Sequence, residues 1–228
     1  ASRGASMFQD RMKALRIIEC VQNSDEWIAA RLGKATASRI SDVMASGKGG
    51  APSASRARYL AELVLERITG EREEGFTSKA MQVGLEREPE AVARYKFETG
   101  IDVCEVGFVL HPTIEGSGAS PDRLVGLDGI AQFKCPDAHT HLAYLRGETL
   151  PRAYVCQVQW EMACTKSLWC DFVSYHPKFP IGKRLHVRRI KRDSAMIVEA
   201  ESAVRAFLSD VERAVADLLA DEAGEVAA

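Results

Sequence analysis

One short segment gathers the residues best suited to chemistry. It runs Ser120-Pro121-Asp122-Arg123-Leu124 and then Gly129-Ile130-Ala131-Gln132-Phe133-Lys134-Cys135-Pro136. Asp122 stands at a turn into one strand. Gln132 and Lys134 are two apart on a later strand, so their side chains share a face. Ala131, Phe133 and Cys135 point the other way, toward a core. Polar groups on the buried face of an apolar strand are costly unless metal, substrate or hydrogen bonds satisfy them. Phosphodiester hydrolysis gives such a face a use. It needs a water made nucleophilic near neutral pH, and a cation to neutralise the charge that builds up on phosphorus. Two carboxylates holding one or two Mg²⁺ ions serve both needs, and a nearby lysine orients the water or stabilises charge. The arrangement required is an Asp followed, ten residues on, by Glu-x-Lys. Asp122 and Lys134 are in place, but Gln132 stands where the second carboxylate belongs.

The elements that must position these residues are legible as periodic patterns. Ser24 can cap a short helix carrying Trp27, and Thr36 or Ser38 can start another through Met44. Residues 55–68 repeat Leu60, Leu63, Val64 and Ile68 at helical spacing, and Gly70 stops them. A further helical pattern covers 78–99, with Met81, Val92, Tyr95 and Phe97 among its apolar residues; Pro89 predicts a break or bend in it. The period then changes, and 103–110, 124–127 and 130–134 read as short strands separated by glycine and Asp-Gly turns. Helices are expected over 138–146 and 153–165, and strands over 168–175 and 184–190. A final long helix carries the stripe Val204, Phe207, Leu208, Val211, Val215 and Leu218. The fold class is α/β: one three-layer domain with a central mixed sheet flanked by helices. Residues 1–6 read as a leftover of expression and 7–228 as the single domain, with its acidic tail after Ala220 frayed.

Bulk properties bound the partners. Thirty basic against 32 acidic residues give a formal charge of −2, which excludes a globally basic nucleic-acid binder. Any DNA-binding charge must be gathered into a local groove. No apolar run approaches the ~20 residues of a membrane span and no signal-peptide pattern opens the chain, so a cytoplasmic, membrane-free location is expected. Six cysteines show no CxxC spacing, and read as reduced, mostly buried thiols rather than metal ligands. The Gly-rich stretch 46–53 lacks the Gly-Lys-Ser/Thr ending of a phosphate-binding loop. The basic run Lys183, Arg184, Arg188, Arg189, Lys191 and Arg192 reads first as a solvated face. Trp27, Tyr154 and Trp160 read as packing residues, and His139-x-His141 as incidental.

The Asp122, Gln132 and Lys134 segment resembles the PD-(D/E)xK nucleases, and within them the phage lambda exonuclease and YqaJ viral recombinase family. Four further segments carry the narrower resemblance in the right order. They are Glu26-Trp27 leading to Arg31-Leu32-Gly33 and Thr36-Ala37-Ser38; Gly84 followed by Glu88 and Ala91; Lys134-Cys135-Pro136; and Tyr154 with Gln157-Val158-Gln159. The match runs over about 25–175.

That resemblance implies a restriction-endonuclease-like core and a Mg²⁺-dependent exonuclease. Such an enzyme digests one strand of linear double-stranded DNA from its 5′ end, releases mononucleotides and leaves a 3′ overhang. It implies two Mg²⁺ ions, with Mn²⁺ as the substitute, a homotrimeric ring around DNA, and a phage single-strand annealing protein as partner in recombination. Carried over by motif, the catalytic residues are Asp122, Gln132, Lys134, Glu88 and Gln157. The metal set is Asp122, Gln132, Glu88 and Phe133, and Arg31 and Ser38 hold the 5′-phosphate. Gln132 departs from the pattern. It keeps the shape of Glu but removes one negative charge, so DNA binding with impaired cleavage is expected, whether the change is deliberate or native. The alternatives are another PD-(D/E)xK DNA nuclease, or a recombination scaffold that binds DNA without cutting it.

Overall fold

The computed structural model describes residues 3–47, 49, 51–72 and 79–225. In chain order these form α1 (Arg3–Ala14), β1 (Ile17–Ile18), α2 (Asp25–Arg31), β2 (Ala35–Thr36), a 3-10 turn (Ala37–Arg39), α3 (Ile40–Val43), α4 (Ala54–Thr69) and α5 (Lys79–Thr99). Then follow β3 (Val103–Cys104), β4 (Phe108–Leu110), β5 (Ser117–Ala119), β6 (Arg123–Val125), β7 (Gly129–Lys134), α6 (Ala138–Leu145), α7 (Arg152–Thr165), β8 (Trp169–Tyr175), β9 (Leu185–Lys191) and α8 (Ser194–Glu225). No helix among the described residues is long and apolar enough to cross a membrane.

The central sheet has the order β3-β6-β7-β8-β9, with β7 parallel to β8 and every other pair antiparallel. A smaller sheet, β1-β4-β5-β2, adjoins it. The mixed central sheet between helices is the expected architecture. Its two faces bury different sets. Ala91 and Tyr95 of α5 pack with Ala131, Phe133, Val173 and Tyr175 on one side. Ile130 and Leu124 pack with Val158, Trp160 and Met162 of α7 and with Val204, Phe207 and Val211 of α8 on the other. Gln132 and Lys134, in phase with Ile130, therefore belong to the α7 face.

Local signals set the helix ends. The Ser24 side chain accepts from Trp27 N–H, and Asp137 Oδ1 accepts from Thr140 N–H at 2.8 Å. Ser53, two residues before the expected start, caps α4 through Arg56 N–H. Gly70 closes α4 with a φ of 70°. Pro89 lies inside α5 without ending it. The backbone bond it forfeits would go to Leu85, and both residues are exposed, so solvent can satisfy that carbonyl. Ser78, the expected first residue, lies outside the described residues.

Other boundaries moved for identifiable reasons. The single strand expected over 103–110 is two, β3 in the central sheet and β4 in the smaller one. The chain changes sheets at Gly107, where a Cβ would run into the backbone of Ile18 and Cys20. β1, β2 and β5 are too short to show a period. α1 begins inside the segment set aside as an expression leftover, and Arg11 on it donates to the carbonyls of Gly126 and Gly129 and to Ser167 Oγ. α8 continues past Ala220 to Glu225. Phe97 and Leu218 are exposed, not core.

One polar junction ties the far side of the sheet together. Asp171 on β8 is buried; it takes two 2.8 Å bonds from Arg189 on β9 and one of 2.7 Å from Tyr95 on α5. The Arg189 guanidinium lies 3.7 Å over Trp169, whose indole fills the space that a side chain at Gly129 would need. The basic run is largely spent on such contacts. Arg184 donates to Phe179 O, Arg188 to Glu148 O, and Arg192 to Met162 O and Ser167 O. Removing Arg189 strands a buried carboxylate with one neutral donor, which is the expensive way to break such a pair. Arg189→Ala is expected to cost about 3 kcal/mol at neutral pH by urea denaturation. A loss below about 1 kcal/mol would show that Asp171 does not depend on this partner.

Candidate active site

The site begins where a ladder stops. β6 pairs with β7 from Val125↔Gly129 to Arg123↔Ala131 and then ends, leaving the β6-side edge of β7 uncovered from Gln132 onward. Asp122, the residue just before β6, fills the gap: its Oδ2 accepts the Phe133 N–H at 2.6 Å. An extended residue turns its N–H and C=O to the same edge, so the Phe133 carbonyl faces the same gap. Burial pushes the Asp122 carboxyl up from its ordinary range, while Lys134, the Phe133 N–H, Arg123 and Gln132 pull it down. Gln132 is 3% exposed, and its Oε1 is buried without a hydrogen-bond partner. Lys134 is partly buried, with Nζ 5.2 Å from the centre of the Tyr154 ring.

Two helices complete the wall. On α7, Gln157 and Glu161 are one turn apart, and Gln157 Nε2 donates to Glu161 Oε1 at 2.8 Å. Glu161 is fully buried, and its Oε2 has no hydrogen-bond partner. Burial first, and then Asp122, push its carboxyl up to about 8, against the opposing pull of Gln157, Lys134 and Arg31. On α5, Glu88 is half-buried and pairs with Arg123 at 3.2 Å. Its carboxyl is raised by burial and by Asp122, and lowered by Arg123 and Lys134. Cys135 is no nucleophile here, because burial pushes its thiol up to about 11.

A second compartment adjoins the first through Ser120. Its hydroxyl accepts from Trp27 Nε1 at 2.8 Å and from Arg31 at 3.5 Å. The Arg31 guanidinium stacks 4.0 Å over Trp27, and its Nε has no partner. Burial, then Arg72, lower its pKa to about 10. Arg31, Lys34, Thr36, Ser38, Arg39 and Arg72 help line a cavity of about 490 Å³. Acidic neighbours neutralise part of that lining: Arg39 pairs with Asp42 and Glu62, Arg58 with Glu62, and Arg72 with Glu66. Among the described residues neither Arg31 nor Lys34 has an acidic side chain within ion-pair distance.

All the site residues expected from sequence thus fall into two joined compartments. Asp122, Gln132, Phe133, Lys134, Glu88 and Gln157 line one; Arg31 and Ser38 line the other. Arg31 forms no ion pair with Glu26, and turns instead to Trp27 and Ser120. Trp27 is more than packing, because it supports the arginine. Tyr154 tilts against Phe172 at 5.7 Å, and Trp160 is wholly buried against His111. His141 is also structural, bonded to Ser174 Oγ and the Lys183 carbonyl. Sequence reading missed Ser120 and Glu161. Ser120 gave no signal of its own, but Glu161 did: it is a carboxylate four residues after Gln157, within the buried run Val158, Trp160, Met162.

The donor set suits a hard cation. No group of three or more His, Cys, Asp or Glu side chains converges as a metal cluster among the described residues. What converges instead is oxygen of mixed kind: the Asp122 carboxylate, the orphaned Gln132 Oε1 and the Phe133 carbonyl. Mg²⁺ favours all-oxygen ligation by one or two carboxylates and keeps several waters, so the set fits it better than Zn²⁺.

Comparison with known proteins gives the family. Residues 26–167 match the model of the YqaJ-like viral recombinase domain. Among solved structures, LHK-Exo, an alkaline exonuclease from Laribacter hongkongensis solved alone and in complex with dAMP, is 46% identical. The match covers 89% of this chain and 100% of that one, with a TM-score of 0.81. A phage-related exonuclease from Haemophilus somnus 129PT shares the fold at 17% identity and a TM-score of 0.64, over 81% of this chain and 96% of that one. No protein of curated function matches the sequence. The chain belongs to the YqaJ-like viral recombinase family, as a nuclease of the alkaline-exonuclease type.

Proposed function

We propose that this chain is built as a Mg²⁺-dependent 5′-to-3′ exonuclease on linear double-stranded DNA, with its cleavage step weakened by Gln132. The carrying observation is the Asp122 carboxylate locked onto Phe133 N–H beside Lys134, with the cavity of Arg31, unpaired among the described residues, joined to it through Ser120. The dAMP bound by LHK-Exo is of the product class such digestion would release. Asp122, Gln132, the Phe133 carbonyl and Glu88 would hold the ions, Glu88 by leaving Arg123. Bound there, Mg²⁺ would supply charge neutralisation at the phosphate and a water acidic enough to attack near neutral pH.

The protein's own groups do the rest. Phe133 N–H fixes which Asp122 oxygen is free to ligate. Lys134, held over Tyr154, presents an ammonium to the reacting phosphate and steadies the attacking water. Gln157 braces the α7 side of the site. In the neighbouring compartment the planar Arg31 fork, backed by Trp27 and joined by Ser38, suits a terminal phosphate dianion. Capture of that end beside the cutting centre gives 5′-to-3′ direction and a 3′ single strand as remainder. A homotrimer around DNA, and a phage-type annealing protein receiving the single strand, belong to the same proposal. So do two Mg²⁺ ions per site and action in the cytoplasm of a bacterial host. Gln132 by itself favours the other reading, a recombination protein that holds DNA ends without cutting.

Two experiments test the proposal. Restoring the carboxylate with Gln132→Glu is expected to raise Mg²⁺-dependent digestion of 5′-phosphorylated duplex by about 100-fold, the scale on which altering a metal's immediate surroundings acts. No gain in rate favours the non-cutting scaffold. In the Gln132→Glu background, Arg31→Ala is expected to erase the preference for a 5′-phosphate over a 5′-hydroxyl end. Loss of charge-assisted hydrogen bonds worth about 2 kcal/mol corresponds to roughly 30-fold. An unchanged ratio of rates on the two ends would place the 5′-phosphate elsewhere.

A further inference from the structure

Two buried oxygens of the site have nothing to bind: Gln132 Oε1 on β7 and Glu161 Oε2 on α7. They come from elements packed against each other, since Gln132 projects from the sheet face that α7 covers. With Glu161 ionised both are acceptors, and no other buried donor among the described residues bonds to either. Donors are present nearby, but they are engaged elsewhere: Gln157 Nε2 holds the other Glu161 oxygen, and Phe133 N–H holds Asp122. An unpartnered carboxylate oxygen in a water-poor core is expensive; a proton relieves that cost when the site is empty, as the raised Glu161 carboxyl shows, and a bound cation would displace the proton and take its place.

The two acids of this face are arranged alike. Asp122 is anchored through Oδ2 by a main-chain N–H at 2.6 Å, and Glu161 through Oε1 by a side-chain N–H at 2.8 Å. Anchoring one atom of a ligand with a hydrogen bond is how outer groups fix the orientation of metal-binding side chains. Asp122 is the largest charged influence on Glu161 after burial itself, so the two carboxylates share one electrostatic compartment. Position 132 should contribute a charge to that compartment and contributes only an amide.

We infer that Glu161 supplies the carboxylate that position 132 lacks, so that in this chain a divalent cation is held between Asp122 at the entry to β6 and Glu161 on α7. The inference rests on the metal-dependent reading of the site. Gln132 Oε1 then serves as a neutral third ligand, and Gln157 acts through Glu161 as a positioning residue rather than touching the ion. Glu161 restores the charge of the pair from a different backbone position, so the cation is retained while the placement of its water differs from that set by a strand glutamate. Retained metal with slowed cleavage follows from one arrangement.

Isothermal titration of the whole chain with Mn²⁺ tests this without any turnover. The parent is expected to bind Mn²⁺, Asp122→Asn to abolish binding, and Glu161→Gln to weaken it by about tenfold or more. In Gln132→Glu/Glu161→Gln the affinity is expected to return to within about twofold of the parent, because the charge is back on the strand. Circular dichroism verifies folding of each variant. Should Glu161→Gln not fold, Glu161→Asp takes its place under the same criterion, since its carboxylate falls one methylene short. A smaller loss in the single variant, or no recovery in the double, overturns the role of Glu161. If Asp122→Asn still abolishes binding in that case, the site reading stands and only Glu161 falls. Failure of the parent to bind Mn²⁺, or binding indifferent to Asp122, overturns both.

Discussion

The hydrogen bond from Phe133 N–H to Asp122 Oδ2 carries the architecture of the site. It forms because the β6–β7 ladder is cut short at Arg123↔Ala131, leaving a strand edge that needs an acceptor. A side-chain carboxylate replaces the main-chain carbonyl that a longer β6 would have offered. That replacement satisfies the backbone and fixes the Asp122 rotamer, and it sets the acid beside Gln132 and Lys134. Fold completion and site construction are one interaction. Every other group in the compartment is placed relative to that strand end: Glu88 through Arg123, and Gln157 and Glu161 through the packing of α7 on the β7 face.

How much of this was legible depended on whether the signal was local. Asp122, Gln132 and Lys134 could be grouped because strand alternation is a strict rule and the turn at Pro121-Asp122 is short. Ser24, Gly70 and Asp137 mark helix ends by their own chemistry. The two-residue strands β1 and β2 gave no period, and exist only because neighbours in the smaller sheet pair with them. The division of 103–110 into two strands depends on a close approach at Gly107 to a segment some ninety residues earlier in the chain, which no window of sequence contains. Arg31 was nameable from its motif, but its partners were not. Trp27 and Ser120 meet it from α2 and from the loop before β6, so only the fold joins them.

Glu161 shows a different limit. A carboxylate inside the run Val158, Trp160, Met162 is visible in the sequence as an anomaly. Without knowing which side of α7 faces the sheet, though, it could be assigned to solvent as easily as to the site. Helical spacing puts it on the face of Gln157, and the hydrogen bond between the two confirms that face. The informative sign was a buried polar residue with no local partner, a stronger clue than an exposed acid in a recognised motif.

The two compartments also resolve the tension between an acidic chain and a nucleic-acid substrate. Net charge describes the far field, whereas a DNA end meets only the groups lining its path. In the Arg31 cavity most cations are neutralised by Asp42, Glu62 and Glu66, leaving Arg31 and Lys34 as the charge available to a phosphate. Beyond Ser120 the carboxyls of Asp122 and Glu161 share one field with Lys134, and burial raises both. A phosphate would thus be drawn more strongly to the Arg31 compartment than to the acidic one. Under the proposed function such a contrast would orient a DNA terminus, and Asp122 and Glu161 are among the acids that create it.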